Sequence, residues 1–517
     1  MCPGPGFTNV LTSIANASVD RTAVIYIVGS APLGAQLTNG LQVGLDHVAV
    51  AKQVAKWAAR VDSLGSLQRM VEQAARVATT APCGPVLLDI PADVLDAQAF
   101  GRVDDDNTND QVHGRLSRAG LASADVTRCL DLIRDARRPA LMIGHTPSTS
   151  ARAAIAEFVT RTTIPCFLGY GSLGSVADAH PSFGGTLFQL GRLGETEQPD
   201  LLLAVGAQFG FETPGLRDGG TGWGTAVVHI DGDPAEIHRF APAKLGLVAD
   251  PDAALIALAD HSSGVHLGVD PAWVSTVRAS RSRSRDSFES VAAGHRGRVH
   301  PYAAGRVVSD VAAASGAWIV GDGAICKHGL LDALQLDLGG RYFTHGRFGC
   351  MGTGLGLAIG ATVAEPTQRV VCVTGDGAVG FTLGEFETIV RRRLPITVVV
   401  MNNARWGASQ GFQLRPGGPQ RVVGTTLPDA DSTRHDGLRW AGHEGRQHRR
   451  SARPAVGSSP RRRTYLHQRG NRQRRPCARD GPVPLTRHFR RPHVSCGRCS
   501  YRRGSYCRGR APGATGQ

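Results

Sequence analysis

The chain has no run of about 20 consecutive apolar residues, so no membrane-spanning helix and no membrane partner is expected. Its first ten residues, MCPGPGFTNV, lack both a charged n-region and an apolar h-region. That argues against secretion and for a cytoplasmic protein. The 11 cysteines have no regular spacing, which removes a disulfide framework and leaves a reduced thiol set. Lysine is absent from Ser432 to Gln517, where 22 arginines stand against three acids (Asp436, Glu444 and Asp480), a net +19 in a chain of +15. The other residues therefore sum to −4. The basic composition belongs to the tail, and no specific nucleic-acid partner is expected, although so much positive charge would bind polyanions adventitiously.

What is present over the first 431 residues is an α/β pattern, in a chain of 517 residues long enough for three domains. TAVIYIVGS (22–30), GPVLLDIP (84–91), PALMIG (139–144), DLLLAVGAQF (200–209), AVVHID (226–231), AWIVGDG (317–323), RVVCVTGDG (369–377) and PITVVVMNN (395–403) are short apolar runs ending in small or polar residues. Amphipathic stretches such as SLQRMVEQAARVATT and VTRCLDLIRDA lie between them. This is the signature of parallel strands with crossover helices. Two polar stretches, 99–120 and 280–299 (SRSRSRDSFESVAAGHRGRV), read as linkers or long loops. Three doubly wound parallel-sheet domains are thus expected, at 1–98, 121–262 and 300–431, followed by a tail at 432–517 that does not fold.

The stretch VTGDGAVGFTLGEFETIVRRRLPITVVVMNNARWG (373–407) carries the chemistry. It reads as strand, crossover helix and next parallel strand, with Asp376 and Asn403 at neighbouring strand ends, where open parallel sheets bind ligands. A carboxylate and an amide oxygen are hard donors suited to Mg²⁺, which takes phosphate oxygens as further partners. Gly375 and Gly377 let the backbone approach a diphosphate, and the amides that follow, from Ala378 on, can donate to it. A lone Gly-Asp-Gly more often marks a tight turn; the Asn402-Asn403 pair after the next strand weighs toward an ion.

Gly-Asp-Gly, a helix, a strand and then Asn-Asn resembles the motif of thiamine-diphosphate (ThDP) enzymes. The resemblance implies ThDP and Mg²⁺ as cofactors, with the metal held by Asp376, Asn403 and the backbone carbonyl of Arg405. GPGFTNVLTSIANASVDRTAVIYIVGS, TNGLQVGLDHVAVAKQVAKW, GPVLLDIPADVL and HGRFGCMGTGLGLAIGA extend it from Gly4 to about Asp429, and are similar to benzaldehyde lyase and its acetolactate-synthase-like relatives. On that resemblance the three domains are pyrimidine-binding, middle and diphosphate-binding. Gln42 faces the reactive side of the cofactor, Met351 is the apolar wedge beneath it, and His345 and Gly349 lie near the diphosphate. The plainer readings are ordinary core for Met351 and a helix-surface amide for Gln42.

Relatives supply an activating Glu from an Arg-His-Glu segment of the pyrimidine-binding domain. Met1 falls just before GPGFTNV, an element preceded by several strands and helices in relatives. The expectation is that the first half of this domain, with its Glu, is missing, through a misassigned start or a degenerate gene. At the other end relatives continue with a strand like RPTCINVA. A suitable codon choice for Thr464 to Arg472, read one base later, spells Pro-Thr-Cys-Ile-Asn-Val-Ala-Thr, so the tail is read as frameshifted close to Asp431. A zinc site at Cys496, Cys499, Cys477, Cys507, His488 and His493, or an RNA-binding arginine domain, would require a selected fold there.

GYGSLG (169–174) fits G-x-G-x-x-G but reads as a strand-end loop of the middle domain. VGAQFGFETP lacks the Arg-Phe-Asp sequence expected of an FAD-binding middle domain, so FAD is doubtful. GAICKHG (323–329) occupies the turn where benzaldehyde lyase presents aromatic substrate-facing residues, and Cys326, Lys327 and His328 there imply a more polar or anionic substrate. Three functions remain: a carbon–carbon lyase or ligase acting on an aldehyde or 2-oxo acid as a homodimer or homotetramer, an acetolactate synthase large subunit, or an inactive remnant.

Overall fold

The computed structural model describes residues 1–35, 38–97, 119–213, 224–297, 299–414 and 422–427. All of them lie in the first of two units, Met1–His467. The arginine-rich tail, its cysteines and the shifted-frame strand lie outside the described residues, as does nearly all of the 99–120 linker.

Three parallel sheets form, as the alternation of apolar runs and amphipathic stretches requires. In the first, β1 (Val24–Ser30), β2 (Trp57–Arg60) and β3 (Pro85–Pro91) are ordered β1-β3-β2. The second contains β4 (Pro139–Ile143), β5 (Cys166–Leu168), β6 (Phe183–Thr186), β7 (Leu201–Val205), β8 (Ala226–Asp231) and β9 (Ala243–Val248), ordered β6-β5-β4-β7-β8-β9. The third contains β10 (Trp318–Gly321), β11 (Tyr342–Thr344), β12 (Val370–Gly375) and β13 (Ile396–Met401), ordered β11-β10-β12-β13. In the third sheet the chain moves from β10 to one side and then to the other. The crevice between the carboxyl ends of β10 and β12 is thus a topological switch point, where such sheets bind ligands.

Helices cover both faces of the second sheet, so every residue of β4, β5 and β7 is buried. Their near-continuous apolar sequences follow from that double burial. β3 is equally buried, and its Asp89 is fully enclosed, accepting from Arg60 Nε at 2.6 Å with His47 Nδ1 at 3.3 Å. The other ring nitrogen, His47 Nε2, accepts from the Gly4 amide at 3.1 Å. This relay pins the GPGF turn to the sheet. Arg60→Ala is expected to cost about 3–5 kcal/mol in urea denaturation, because it leaves a buried carboxylate without its cation.

The stretch 280–299 departs from its expected loop. Residues 271–294 form one helix, opened by Pro271 and capped by Asp270, whose carboxylate accepts from Ala272 N. Trp273 and Val277 are buried, and Trp273 Nε1 donates to Pro139 O at 2.8 Å. Arginine is a good helix former, and three of these arginines are engaged by acids. Arg281 and Arg285 both meet Asp178, and Arg283 meets Glu197. The polar run is thus anchored, although its sequence shows no apolar stripe.

The first two sheets are joined through Arg21, which reaches Asp231 at 2.8 Å, Asp233 at 3.1 Å and Glu236 at 3.4 Å. All seven described cysteines are free thiols. No helix among the described residues is long and apolar enough to cross a membrane.

Candidate functional site

Two Gly-Asp-Gly turns leave the switch-point strands side by side. β10 ends at Gly321 and continues into Asp322-Gly323; β12 ends at Gly375 and continues into Asp376-Gly377. Gly321 pairs with Val373, and Gly375 pairs with Met401 of β13. Asp376 and Asn403 therefore stand at adjacent strand ends.

The two aspartates do different work. Asp322 is 1% exposed, and it accepts from Gly323 N at 2.7 Å, Gly352 N at 3.1 Å, Gly354 N at 3.1 Å and Thr374 Oγ1 at 3.2 Å. It fixes the loop that carries Met351. Asp376 has the opposite character: its Oδ2 is buried without a hydrogen-bond partner. A carboxylate oxygen buried in that state is costly unless something else satisfies it.

Asn403 and Arg405 complete the hard-donor set. The left-handed Ala404 (φ 55) turns the chain after β13, and an isolated antiparallel bridge joins Arg405 to Thr426. The flanking bonds, Trp406 N to Thr425 O at 2.7 Å and Leu427 N to Ala404 O at 2.9 Å, bypass Arg405. Among the described residues its carbonyl accepts no hydrogen bond. Asn403 Oδ1 accepts from Arg405 N at 3.2 Å, which leaves it a second lone pair. One carboxylate oxygen, one amide oxygen and one carbonyl suit a divalent hard cation that keeps its remaining positions for water or phosphate.

The β12 side of the crevice is shaped by glycine. A Cβ on Gly377 would stand 2.5 Å from the Trp406 ring. At Gly352 (φ +84) a Cβ would stand 2.6 Å from Phe381 Cβ. Gly352→Ala should therefore cost more than about 1 kcal/mol in stability, since it combines left-handed strain with a clash; a thermal melt checks this. Met351, next to it, is 40% exposed. It projects from a fixed loop and is not a core residue. Gly349 is left-handed (φ +75), Ala378 is buried in the first turn after Asp376, and Gly375 closes β12.

His345 is buried beside the other turn, with Nε2 3.3 Å from Gly323 O and Nδ1 3.1 Å from Gly346 O. Burial, reinforced by the charge of Lys327, holds its pKa below the ordinary histidine value. A neutral ring donates through one nitrogen at a time. Gln42 lies in a loop at φ 61, exposed and beside Gly4, so it is not a helix-surface amide.

GAICKHG turns straight into a helix, Ile325–Ala333. The Ile325 side chain and Asn403 both flank Gly407, which places this turn against the Asn403 end of the crevice. Cys326 Sγ donates to Asp322 O at 2.8 Å, and burial pushes its thiol up to about 12. It stays protonated and is no nucleophile. GYGSLG follows β5 as a single 3₁₀ turn, Tyr170–Ser172. Reasoning from sequence missed Asp322, for which the repeated Gly-Asp-Gly was the available signal.

The chain is similar to known proteins over most of its length. Residues 1–50 match the family described as "Thiamine pyrophosphate enzyme, N-terminal TPP binding domain", residues 126–258 its central domain and residues 328–436 its C-terminal TPP binding domain. A probable acetolactate synthase of Mycobacterium bovis is 30% identical over 80% of this chain and 75% of its own length. The acetolactate synthase isozyme 2 large subunit of Escherichia coli is 27% identical over 79% of this chain and 72% of its own. The oxalyl-CoA decarboxylase of Escherichia coli is 27% identical over 80% and 73%. The three α/β domains are those of this family, and the chain belongs to the thiamine-diphosphate-dependent enzymes.

Proposed function

We propose that this chain binds ThDP through Mg²⁺ at the β10/β12 crevice and makes or breaks a carbon–carbon bond beside a carbonyl. The observation that carries the reading is the buried, unpartnered Asp376 Oδ2 beside Asn403 and the free Arg405 carbonyl. These three residues would hold the metal. Gly375, Gly377 and Ala378 would accommodate the diphosphate, with His345 and Gly349 lining the same end. Met351 would support the thiazolium from its fixed loop, and Gln42 would face the reacting carbon. When bound, the cofactor supplies a nucleophilic carbon and an electron sink. The protein's part is orientation: Asp322 locks the Met351 loop, and the Ile325–Ala333 helix lines the crevice beside the metal end.

The relatives bear names of an acetolactate synthase and an oxalyl-CoA decarboxylase, both pointing to acidic donors. The polar Lys327 and His328 support the same choice over a purely aromatic aldehyde, so a 2-oxo acid is the proposed donor and a benzaldehyde-lyase-like aldehyde reaction the runner-up. The exposed Phe348 (44%), Met351 (40%) and Phe381 (63%) favour a second copy covering this face. The test is to incubate the full chain with Mg²⁺ and ThDP, then with pyruvate or with benzaldehyde. CO₂ release with pyruvate supports the reading, benzoin formation supports the runner-up, and the absence of Mg²⁺-dependent ThDP binding removes both.

A further inference from the structure

The helix Ile325–Ala333 places a second, unexplained group in the molecule. Lys327 is 2% exposed, and among the described residues its ammonium has no hydrogen-bond or ion-pair partner. Its Nζ stands 5.1 Å from the centroid of the Tyr170 ring. The Tyr170 hydroxyl is buried and likewise unpartnered. Glu212, in the loop after β7, is the charge that acts most strongly on Lys327. Phe188 and Phe211 close the neighbourhood through the His328 ring, at 5.6 and 6.3 Å between centroids.

Three polar groups thus converge at a junction of the middle and diphosphate-binding domains without bonding one another. A buried ammonium held by the face of an aromatic ring and by no carboxylate hydrogen bond is expensive, and such groups concentrate at functional sites. Lys327 follows the Asp322-Gly323 turn at the switch point, and its charge is felt at Asp322 and at His345 beside that turn. The missing partner must carry negative charge, to match the ammonium, and must accept a second hydrogen bond, to satisfy the phenol. A small carboxylate does both.

We infer that Lys327 is the recognition residue for the carboxylate of the substrate, with the Tyr170 hydroxyl as second donor and Glu212 as the counter-charge that the substrate replaces. This rests on the ThDP-dependent reading above and names the feature of the substrate it selects. The electrostatics agree. Burial lifts the Glu212 carboxyl to about 7, against the opposing charges of Lys327 and Arg347 and with the help of Asp20, itself raised to about 6 by burial. Burial lowers the Lys327 pKa, and Glu212 opposes that. Below these carboxyl pKa values Glu212 and Asp20 are neutral and no longer compete with an incoming anion for Lys327. Carboxylate binding therefore takes up a proton and weakens as pH rises.

The probes are pyruvate and its neutral ester methyl pyruvate, titrated calorimetrically into the full chain, with Mg²⁺–ThDP titrated separately. Wild type is expected to prefer pyruvate, and Lys327→Met to lose about tenfold or more of its affinity for pyruvate alone. Glu212→Gln, an isosteric change, is the second variant and does not depend on the lysine variant folding. It should tighten pyruvate binding at about pH 8 and flatten its fall between about pH 6 and about pH 8. Equal pyruvate affinity in wild type and Lys327→Met, or an unchanged pH dependence in Glu212→Gln, overturns the assignment. Intact Mg²⁺–ThDP binding alongside either result would leave the family reading standing.

Discussion

Asp376→Ala is expected to lower the affinity for Mg²⁺–ThDP by more than about 100-fold, beyond the loss typical of residues that merely support a metal ligand. The carboxylate is the one charged donor in the set, and Asn403 and the Arg405 carbonyl supply only dipoles. The same substitution should leave the cofactor-free chain at least as stable as wild type. Asp376 Oδ2 has no hydrogen-bond partner, so alanine removes a desolvated oxygen and breaks no bond to it. Lost binding with an unchanged or raised melting temperature is the signature of a binding group whose ligand is absent. A large fall in melting temperature would instead make Asp376 a structural residue.

Asp322→Ala should show the reverse. Its carboxylate satisfies three backbone amides and one hydroxyl in a 1%-exposed position. Removing it strands those donors, at an expected cost of about 3–5 kcal/mol in urea denaturation. The Met351 loop is tethered through Gly352 and Gly354, so cofactor affinity should fall as well. Asp322→Asn keeps the shape and part of the acceptor capacity and should lose less on both counts. Equal stability of Asp322→Ala and wild type would mean that the loop is held by packing alone.

The paired behaviour of these two aspartates shows what sequence reveals. Gly375-Asp376-Gly377 and Asn402-Asn403 are local signals, because strand ends and turn glycines are written in adjacent residues. The strands that carry the site, β10, β12 and β13, are legible for the same reason. β6, with the sequence Phe-Gly-Gly-Thr, and the three-residue β11 are too short or too glycine-rich to give a periodic signal. The helix 271–294 was obscured by its arginines, whose partners Asp178 and Glu197 are distant in sequence. Long range also hid the domain junction. Arg347 N donates to Asp20 Oδ1 at 3.1 Å, and its guanidinium meets Gln208. No window of sequence holds those three residues together. Gln208, in the stretch weighed for FAD, is occupied by that junction and by Glu236.

The most direct measurement is a crystal structure of the full chain grown with Mg²⁺ and ThDP. The account predicts one octahedral metal with bonds of about 2.0–2.1 Å to the Asp376 carboxylate, the Asn403 amide oxygen, the Arg405 carbonyl and diphosphate oxygens. It also predicts Met351 against the thiazolium. A metal bound without Asp376, or a diphosphate seated away from the β10/β12 crevice, would contradict it.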